Sequence, residues 1–467
     1  MAMMAAVVDK TSLFSQIALA LSVPVNIALC FVLRPAQAAV FAVLASELFL
    51  PELTTFKFPF MPPFDKHNLP CVCILIGCLM RCPGRVIKMP KERWFLVLTL
   101  FLVAGGILTA LTNRDMVRRQ FLTSLPGLSW NDGFYLAASS VLTAALPFFI
   151  GYSLFKKGAD LRTFLIGFSM GAFVYIPLEL WEMRMSPNLH HMVYGFFQDD
   201  FGDTRRWGGF RPMVFMRHGL ALARFLVSAT LAPFVFGVKS RSFLGIPWKI
   251  GRWILMVVLV FCRSTGALIY TILSLPLLIW SKPKRETRIA FVMAVIVFSY
   301  PALRLSGWFP TQEVLQVSNA AVGPVRTQSV EFRFQNEDKL AAHARERALF
   351  GWGQYGRNFT YDRYGHSSIT DGYWIIEFGV LGVIGFVAAF GILLVPIYLC
   401  HRRIDFIPDP EDRKLVAGAT LILAIIAADL LPNGLWGLYP YMLAGALTGV
   451  SRELALTPPP EMVWEPG

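Results

Sequence analysis

Apolar segments recur along the whole chain, and the charged residues cluster in the stretches between them. An α-helix needs about 20 apolar residues to cross roughly 30 Å of hydrocarbon, and several segments approach that length. The pattern predicts an all-α integral membrane protein, a polytopic bundle of about 12–13 transmembrane helices. The predicted spans are 13–33, 36–50, 67–80, 94–111, 134–154, 163–180, 212–238, 253–262, 267–280, 289–303, 373–399, 415–430 and 435–450.

Composition indicates the same class. Of the 467 residues, 55% are hydrophobic, and the mean hydropathy is +0.54. Both values lie above those of an ordinary soluble domain. No small-residue cleavage site follows the first apolar segment, so the first helix is expected to remain in the mature protein as a span.

The formal net charge of +13 has a simpler explanation than nucleic-acid binding. Cytoplasmic loops of membrane proteins are enriched in Lys and Arg, and that enrichment sets the orientation. If each intervening pair of spans is a hairpin, five basic clusters fall on one side, which is therefore predicted to be cytoplasmic. These clusters lie at 81–93, 156–162, 239–252, 282–288 and 401–414.

The longest non-apolar stretch, 304–372, then faces outward together with 181–211. It is far longer than a connector needs, and loops of such length are usually functional or disordered. Its helix formers and spaced apolar residues predict a short amphipathic helix over the membrane mouth. The chain therefore divides into a helix bundle at 1–303, a large outer loop at 304–372, and C-terminal helices with a cytoplasmic tail at 373–467.

Cationic side chains concentrate in the segments predicted to face outward. Guanidinium groups bind phosphate oxygens through paired N–H donors, so an arginine cluster suits a diphosphate headgroup. Arg206 and Arg211 precede Pro212, a predicted helix start, where anions are also favoured. A single arginine in such a place is more often paired with a carboxylate or a lipid headgroup, so the prediction concerns the group. The predicted anion-binding residues are Arg206, Arg211, Arg263, Arg333, Arg363 and Lys66.

His366 lies near the end of the outer loop, a few residues before the apolar segment at 373–399. An unperturbed imidazole titrates near pH ~6.5 and can act as a general base. Neighbouring arginines such as Arg357 and Arg363 would lower its pKa and keep it neutral, as a base must be. A lone loop histidine is often only a solvated side chain. The place of His366 between the arginine-rich loop and a membrane helix raises the alternative of a catalytic role.

Two other motifs are better explained by structure than by chemistry. Cys71, Cys73, Cys78 and Cys82 lie along one short apolar segment, where Cys behaves as a small hydrophobe. Four ligands on one continuous helix cannot surround a zinc ion, so no metal site is predicted. The sequence Gly351–Gly356 spells G-x-G-x-x-G, but no strand precedes it, and it is predicted to be a turn.

Three features coincide with motifs of a known family. The first is an Arg-x-Gly-x-Phe pattern, Arg206–Phe210. The second is an outer-loop arginine, Arg333, followed by a helix and the Gly-x-Gly turn at 351–353. The third is His366 ahead of a glycine-containing helix, with Gly379-Val380-Leu381-Gly382. In these features the chain resembles the O-antigen ligase and O-antigen polymerase family of bacterial membrane glycosyltransferases, although Ser367 stands where that family commonly has Asn.

The resemblance implies a metal-independent, inverting glycan transfer that requires no cofactor. The donor is a polyprenyl-diphosphate-linked glycan, and transfer to an acceptor hydroxyl occurs at the periplasmic face of the bacterial inner membrane. In this scheme His366 and Arg333 are catalytic: the imidazole takes the acceptor proton. Arg333, Arg206 and Arg211 bind the diphosphate and stabilise the leaving group. The expected partners are the lipid-linked donor, a glycan or lipid acceptor, membrane lipids and other polysaccharide export proteins, and not nucleic acid.

Two other functions fit the same residues. The first is a polytopic transporter or lipid flippase for an anionic, lipid-linked substrate, with an anion-selective outer vestibule. The sequence shows no convincing repeat between its two halves, and the long outer loop is unusual for such a design. The second is a structural subunit of an envelope-assembly complex, which would not need arginines and a histidine to converge.

Overall fold

The protein is an all-α, multi-pass membrane protein. A computed structural model describes residues 11–58, 61–86, 90–117, 124–206, 208–237, 242–362 and 367–457. Within these ranges, seven helices are long and apolar enough to cross a membrane. They are Leu13–Val32, Arg93–Thr112, Trp130–Leu154, Gly158–Met185, Gly219–Phe236, Pro283–Ser306 and Tyr373–Phe406.

The predicted spans all fall on helices, although those beyond the seven are shorter or less apolar. A π-helical turn, Val141–Ala145, joins the helices Trp130–Ser140 and Leu146–Leu154 into one span. In chain order the helices are α1 (Leu13–Val32), α2 (Pro35–Phe49), α3 (Leu69–Arg81), α4 (Pro83–Val86), α5 (Arg93–Thr112), α6 (Trp130–Ser140), α7 (Leu146–Leu154), α8 (Gly158–Met185), α9 (Leu189–Tyr194), α10 (Gly219–Phe236), α11 (Trp248–Phe261), α12 (Thr265–Trp280), α13 (Pro283–Ser306), α14 (Thr311–Val322), α15 (Pro324–Arg345), α16 (Tyr373–Arg403), α17 (Pro410–Asp429) and α18 (Leu438–Leu456). The short strands β1 (Arg205–Arg206) and β2 (Gly209–Phe210) pair as an antiparallel hairpin.

The helix predicted to start at Pro212 begins instead at Gly219. The backbone N–H groups of Met213 and Val214 both donate to Glu182 Oε2 at 2.8 Å, which holds this segment as a loop. His218 then caps α10, because its Nδ1 accepts the N–H of Leu220 at 3.0 Å. The predicted end of this span, Val238, lies outside the described residues.

Basic clusters from distant parts of the sequence meet at one end of the bundle, called here the basic end. Arg162 lies 3.1 Å from Glu411, and Lys284 lies 2.5 Å from Asp405. These ion pairs join the starts of α8 and α17, and the start of α13 to the end of α16. The hairpin arrangement predicted for the clusters at 156–162, 282–288 and 401–414 is confirmed. Three other basic residues of the clusters, Lys88, Lys239 and Arg241, lie outside the described residues.

The outer loop forms two helices, α14 and α15, at the opposite end, called here the loop end. Arg304, at the end of α13, fastens them to the bundle: Nη2 lies 2.6 Å from Asp338 Oδ1, and Nε lies 3.3 Å from Glu337 Oε2. Glu337 also accepts the indole N–H of Trp374 on α16 at 3.2 Å. The helix predicted in the outer loop therefore lies over the bundle, although its apolar residues are not confined to one face. It is held by the buried Arg304–Glu337 contact and by the more exposed Arg304–Asp338 contact.

The Gly-x-Gly turn of the outer loop packs against a break in α16. Gly382 has φ 68° and ψ −161°, a backbone conformation essentially restricted to glycine. The backbone N–H of Trp352 donates to Gly379 O at 2.8 Å, and that of Gly353 donates to Val380 O at 3.0 Å. The Gly-x-Gly motif at 351–353 is a turn, as predicted. It forms backbone hydrogen bonds with the second glycine motif, Gly379–Gly382, which lies elsewhere in the sequence.

Gly382→Ala is expected to destabilise the protein by about 3 kcal/mol or more. A Cβ at position 382 would lie 2.4 Å from the backbone carbon of Leu349, and φ is positive there. The measurement is thermal unfolding in detergent. Gly84→Ala is the control, because a Cβ at position 84 meets nothing within 4 Å. Equal unfolding temperatures for the two variants would contradict the role given to this break.

Cysteines on α3 belong to the core. Cys71, Cys73 and Cys78 are buried, and their thiols are free. Cys71 and Cys78 contact the main hydrophobic core, and Cys73 packs with Leu19 and Leu69. The interpretation of these residues as small core side chains is confirmed.

Candidate functional site

A cavity of about 430 Å³ opens at the loop end, between α10, α12 and α17 on one side and α14 and α15 on the other. Three of the predicted anion-binding residues, Arg206, Arg211 and Arg333, line it. They come from the β-hairpin, the loop after it and the outer helix α15. We call it the arginine cavity, defined by its charged residues Arg206, Arg211, Arg224, Arg333 and Asp429 together with Asn433.

Arg263 does not line the arginine cavity but contacts two of the arginines that do. Its Nη1 donates to Arg206 O at 2.5 Å, and its own carbonyl accepts from Arg211 Nη2 at 3.4 Å. A Cβ added to Gly209 would lie 2.2 Å from Arg263 Nη1, so glycine lets the guanidinium lie against the hairpin. Arg263 is therefore next to the predicted partners but is placed to position them. Trp207 lies outside the described residues.

Arg333 connects the outer loop to the C-terminal helices. Its Nη1 donates to Pro432 O at 3.3 Å, and its Nε lies 3.6 Å from Asp371 Oδ2. The side chain is 29% exposed, so water reaches the guanidinium from the outer side. Such an arginine retains donors for a ligand while its direction is set by the backbone of the α17–α18 connection.

A buried polar network forms the floor of the arginine cavity. Arg224 Nε donates to the Tyr439 hydroxyl at 3.1 Å, and Arg224 Nη1 lies 3.9 Å from Asp429 Oδ2. Asn433 Nδ2 donates to Asp429 Oδ1 at 2.8 Å. Asp429 and Asn433 were missed by the sequence analysis. The available signal was an acidic residue at the end of an apolar span, since ionisable groups in such spans usually face a cavity or a partner.

His218 lines a smaller cavity of about 50 Å³ directly beside the first, with Thr370 and Asp371. Burial and the charges of nearby arginines, Arg211 first, together lower the pKa of His218 to about 3. Its Nδ1 accepts the Leu220 N–H, so Nε2 carries the proton of the neutral ring. His218 is therefore a neutral donor beside the arginines and does not present a free lone pair to an acceptor.

The predicted catalytic histidine, His366, and Arg363 lie outside the described residues. The described residues on either side of them, Tyr361 and Ser367, are joined by an antiparallel bridge. The chain continues through Thr370 and Asp371, which line the His218 cavity. The assignment of His366 as the general base therefore stays a prediction from the sequence.

Lys66 does not line the arginine cavity. Its ammonium lies 3.0 Å from Glu52 Oε1 and donates to Glu47 O and Phe215 O, each at 3.0 Å. Only 1% of the side chain is exposed. These partners accept the N–H donors of the ammonium, and Lys66 does not line the arginine cavity. Its position therefore does not support the predicted contact with a diphosphate.

A partly buried histidine, His67, lies beside that ion pair. His67 Nε2 is 3.3 Å from Glu52 Oε2. Burial lowers the pKa of His67, but the attraction of Glu52 and of Asp65 outweighs it, and the pKa rises to about 9. For Glu52, burial opposes ionisation, yet Lys66 and His67 bring its pKa below the usual range. The cluster is an internally neutralised structural network.

Among the described residues, no group of three or more His, Cys, Asp or Glu side chains is arranged to hold a metal ion. Comparison with models of known protein families finds no match to this chain. A comparison with curated proteins likewise finds no similar sequence. What the site does is therefore argued from its own chemistry.

Proposed function

We propose that this protein is a membrane glycosyltransferase that moves a glycan from a polyprenyl-diphosphate carrier to an acceptor hydroxyl. One observation carries the proposal: the arginine cavity is cationic at one end and apolar along its walls. Four arginines and a single carboxylate, Asp429, line it, together with apolar side chains of five helices. A ligand with a diphosphate joined to a hydrocarbon chain has the same division of charge. The family resemblance of the outer-loop and hairpin motifs supports the same substrate.

The apolar wall is made from elements at different depths. Val227 of α10 and Ile425 of α17 line the buried part, and Ile269 of α12, which is 45% exposed, lines the part at the bundle surface. Val317 of α14 lines the outer part and is 69% exposed, so this helix presents an apolar surface to its surroundings. A prenyl chain entering beside α14 would meet apolar side chains along its length while its phosphates reach the arginines.

The arginines also suit the chemistry of the transfer. The acceptor oxygen attacks the anomeric carbon, the bond from that carbon to the phosphate oxygen breaks, and the acceptor proton passes to a base. Negative charge then grows on the departing diphosphate, where guanidinium donors stabilise it. His366, three residues before Ile369 in the sequence, is the base in this proposal. A single displacement inverts the configuration of the sugar carbon.

The proposed orientation follows from the basic end of the bundle. Lys and Arg are enriched on the cytoplasmic side of membrane proteins. Ion pairs such as Arg162–Glu411 collect the basic clusters at that end, opposite the arginine cavity. In a bacterial inner membrane the cavity would therefore face the periplasm, where lipid-linked glycans are assembled into polymers or conjugates.

Arg206→Ala is expected to reduce glycan transfer by about 100-fold, the usual loss when one preorganised donor to a developing anion is removed. Arg205→Ala is the matched control, because the neighbouring Arg205 is exposed and does not line the cavity. The assay uses purified protein in liposomes with a defined lipid-linked oligosaccharide and acceptor, with products separated by gel electrophoresis. Similar rates for the two variants would contradict the proposal.

A lipid flippase or transporter is the second candidate, favoured by two irregularities in the membrane helices. Helix α16 is broken at Gly382, and the α6–α7 span contains a π-helical turn. Broken helices are common in transporters, and π-turns often mark functional sites. Movement of a fluorescent lipid-linked substrate across liposomes that contain only this protein, without product formation, would favour this function over transfer.

A further inference from the structure

A second large cavity lies at the basic end, on the opposite side of the molecule from the arginine cavity. Its volume is about 700 Å³. Six basic residues line it, together with two acidic ones, Asp160 and Glu453, and the phenol of Tyr152. We call it the basic-end cavity, defined by Arg34, Arg85, Lys91, Lys156, Lys157 and Arg452. It is independent of the proposed transfer reaction.

One of its two carboxylates is occupied by the backbone. Asp160 Oδ2 accepts the N–H of Lys156 at 3.0 Å and that of Lys157 at 3.1 Å, which closes the loop at the start of α8. The other, Glu453, is exposed. Arg452 Nη1 also lies 4.0 Å from Glu92 Oε1, outside the lining residues. With six basic residues against these three carboxylates, the cavity keeps a net positive charge.

Two basic side chains are held inward by one buried ring. Lys156 Nζ lies 4.3 Å from the centre of the Tyr152 ring, and Arg452 Nη1 donates to the Tyr152 hydroxyl at 2.9 Å. Tyr152 is only 5% exposed, which fixes the position of both groups. Burial lowers the pKa of Lys156; Glu453 opposes this shift, but the charges of Arg452 and Lys91 add to it, and the pKa stays below its ordinary value. Like charges held together in this way are relieved when an anion binds between them.

The starts of two long helices add to the field. Pro35 and Ala36, in the first turn of α2, and Ala159, in the first turn of α8, belong to the cavity wall. Backbone N–H groups at a helix start favour negative charge, particularly phosphate. The basic side chains and the two helix N-termini therefore both favour an anion in the basic-end cavity.

The surroundings indicate that the anion is carried by a lipid. Arg34 lies two residues after the end of α1, whose last residues Phe31 and Val32 are 48% and 80% exposed. Apolar side chains turned outward next to a basic cavity match acyl chains next to a headgroup. Basic pockets between transmembrane helices on the cytoplasmic side are known to bind anionic headgroups. We propose that the basic-end cavity binds the phosphate headgroup of an anionic membrane lipid.

The test is lipid retention by native mass spectrometry of the full chain in detergent, with cardiolipin, phosphatidylglycerol or phosphatidylcholine added. Wild-type protein is expected to retain the two anionic lipids and not phosphatidylcholine. Lys156→Gln with Arg452→Gln should weaken cardiolipin retention by about 30-fold, because each basic residue near an anionic headgroup raises the affinity by about fivefold. Lys282→Gln with Arg285→Gln, at the same end but outside the cavity, is the charge-matched control.

A second variant tests the same proposal if the first does not fold. Arg34→Gln with Lys157→Gln changes two exposed residues of the cavity and should weaken cardiolipin retention in the same direction. Equal loss in the control variant would overturn the proposal, because retention would then follow net charge alone. Inorganic phosphate at millimolar concentration raising the unfolding temperature as much as cardiolipin does would also overturn it, in favour of a free phosphate site.

Discussion

Arg333→Ala is expected to lower glycan transfer by about 100- to 1,000-fold and to leave the folded protein largely intact. Its guanidinium lines the arginine cavity from the outer loop, facing Arg206 and Arg211 on the hairpin side. Its contacts with Asp371 and Pro432 are partly exposed, and such contacts contribute only about 0–1 kcal/mol to stability. The variant therefore separates chemistry from folding. Transfer rate and unfolding temperature are measured on the same preparation.

Arg345→Ala is the control for that experiment, because Arg345 ends the same helix, α15, and is exposed. Arg333→Lys tests the geometry further: it keeps the charge but loses the paired donors, so partial activity is expected. If Arg333→Ala raised KM for the lipid-linked donor and left kcat unchanged, the arginine would bind the carrier without stabilising the leaving group. Unchanged transfer by Arg333→Ala would remove the basis of the proposed function.

The helices could be predicted because their signal is local. An apolar run of sufficient length predicts a span whichever partners it packs against, and the predicted spans all fall on helices. The start of α10 could not be predicted in this way. Glu182, far away in the sequence, holds the loop after Pro212 through its carboxylate, and His218 supplies the cap. A helix start set by a distant side chain leaves no pattern in the helix itself.

The site was predictable to the extent that topology determines it. Arg206, Arg211 and Arg333 were grouped because their segments were all expected at one end of the bundle, and they line one cavity. The same reasoning misjudged Lys66, whose partners are largely backbone carbonyls brought together by the fold. It also missed Asp429, which completes the floor of the cavity through Arg224. Sequence predicts which end of the molecule a charge occupies, and tertiary contacts decide whether it faces a ligand.

Lys66→Met is expected to destabilise the protein by about 3–5 kcal/mol, the usual cost of removing one partner of a buried ion pair. The substitution leaves Glu52, which is 5% exposed, without its closest cation and leaves the carbonyls of Glu47 and Phe215 without a donor. The measurement is unfolding in detergent, by temperature or by denaturant. Lys339→Met is the control, because Lys339 is an exposed lysine of the outer helix α15.

The double variant Lys66→Met with Glu52→Gln distinguishes a structural role from a ligand-binding one. Because the two residues are in contact, their effects should not add, and the double variant should lose less stability than the sum of the single variants. Protein that remains folded should bind the lipid-linked donor as the wild type does, since neither residue lines the arginine cavity. If folded Lys66→Met protein bound the lipid-linked donor more weakly at unchanged stability, Lys66 would instead belong to the anion-binding site.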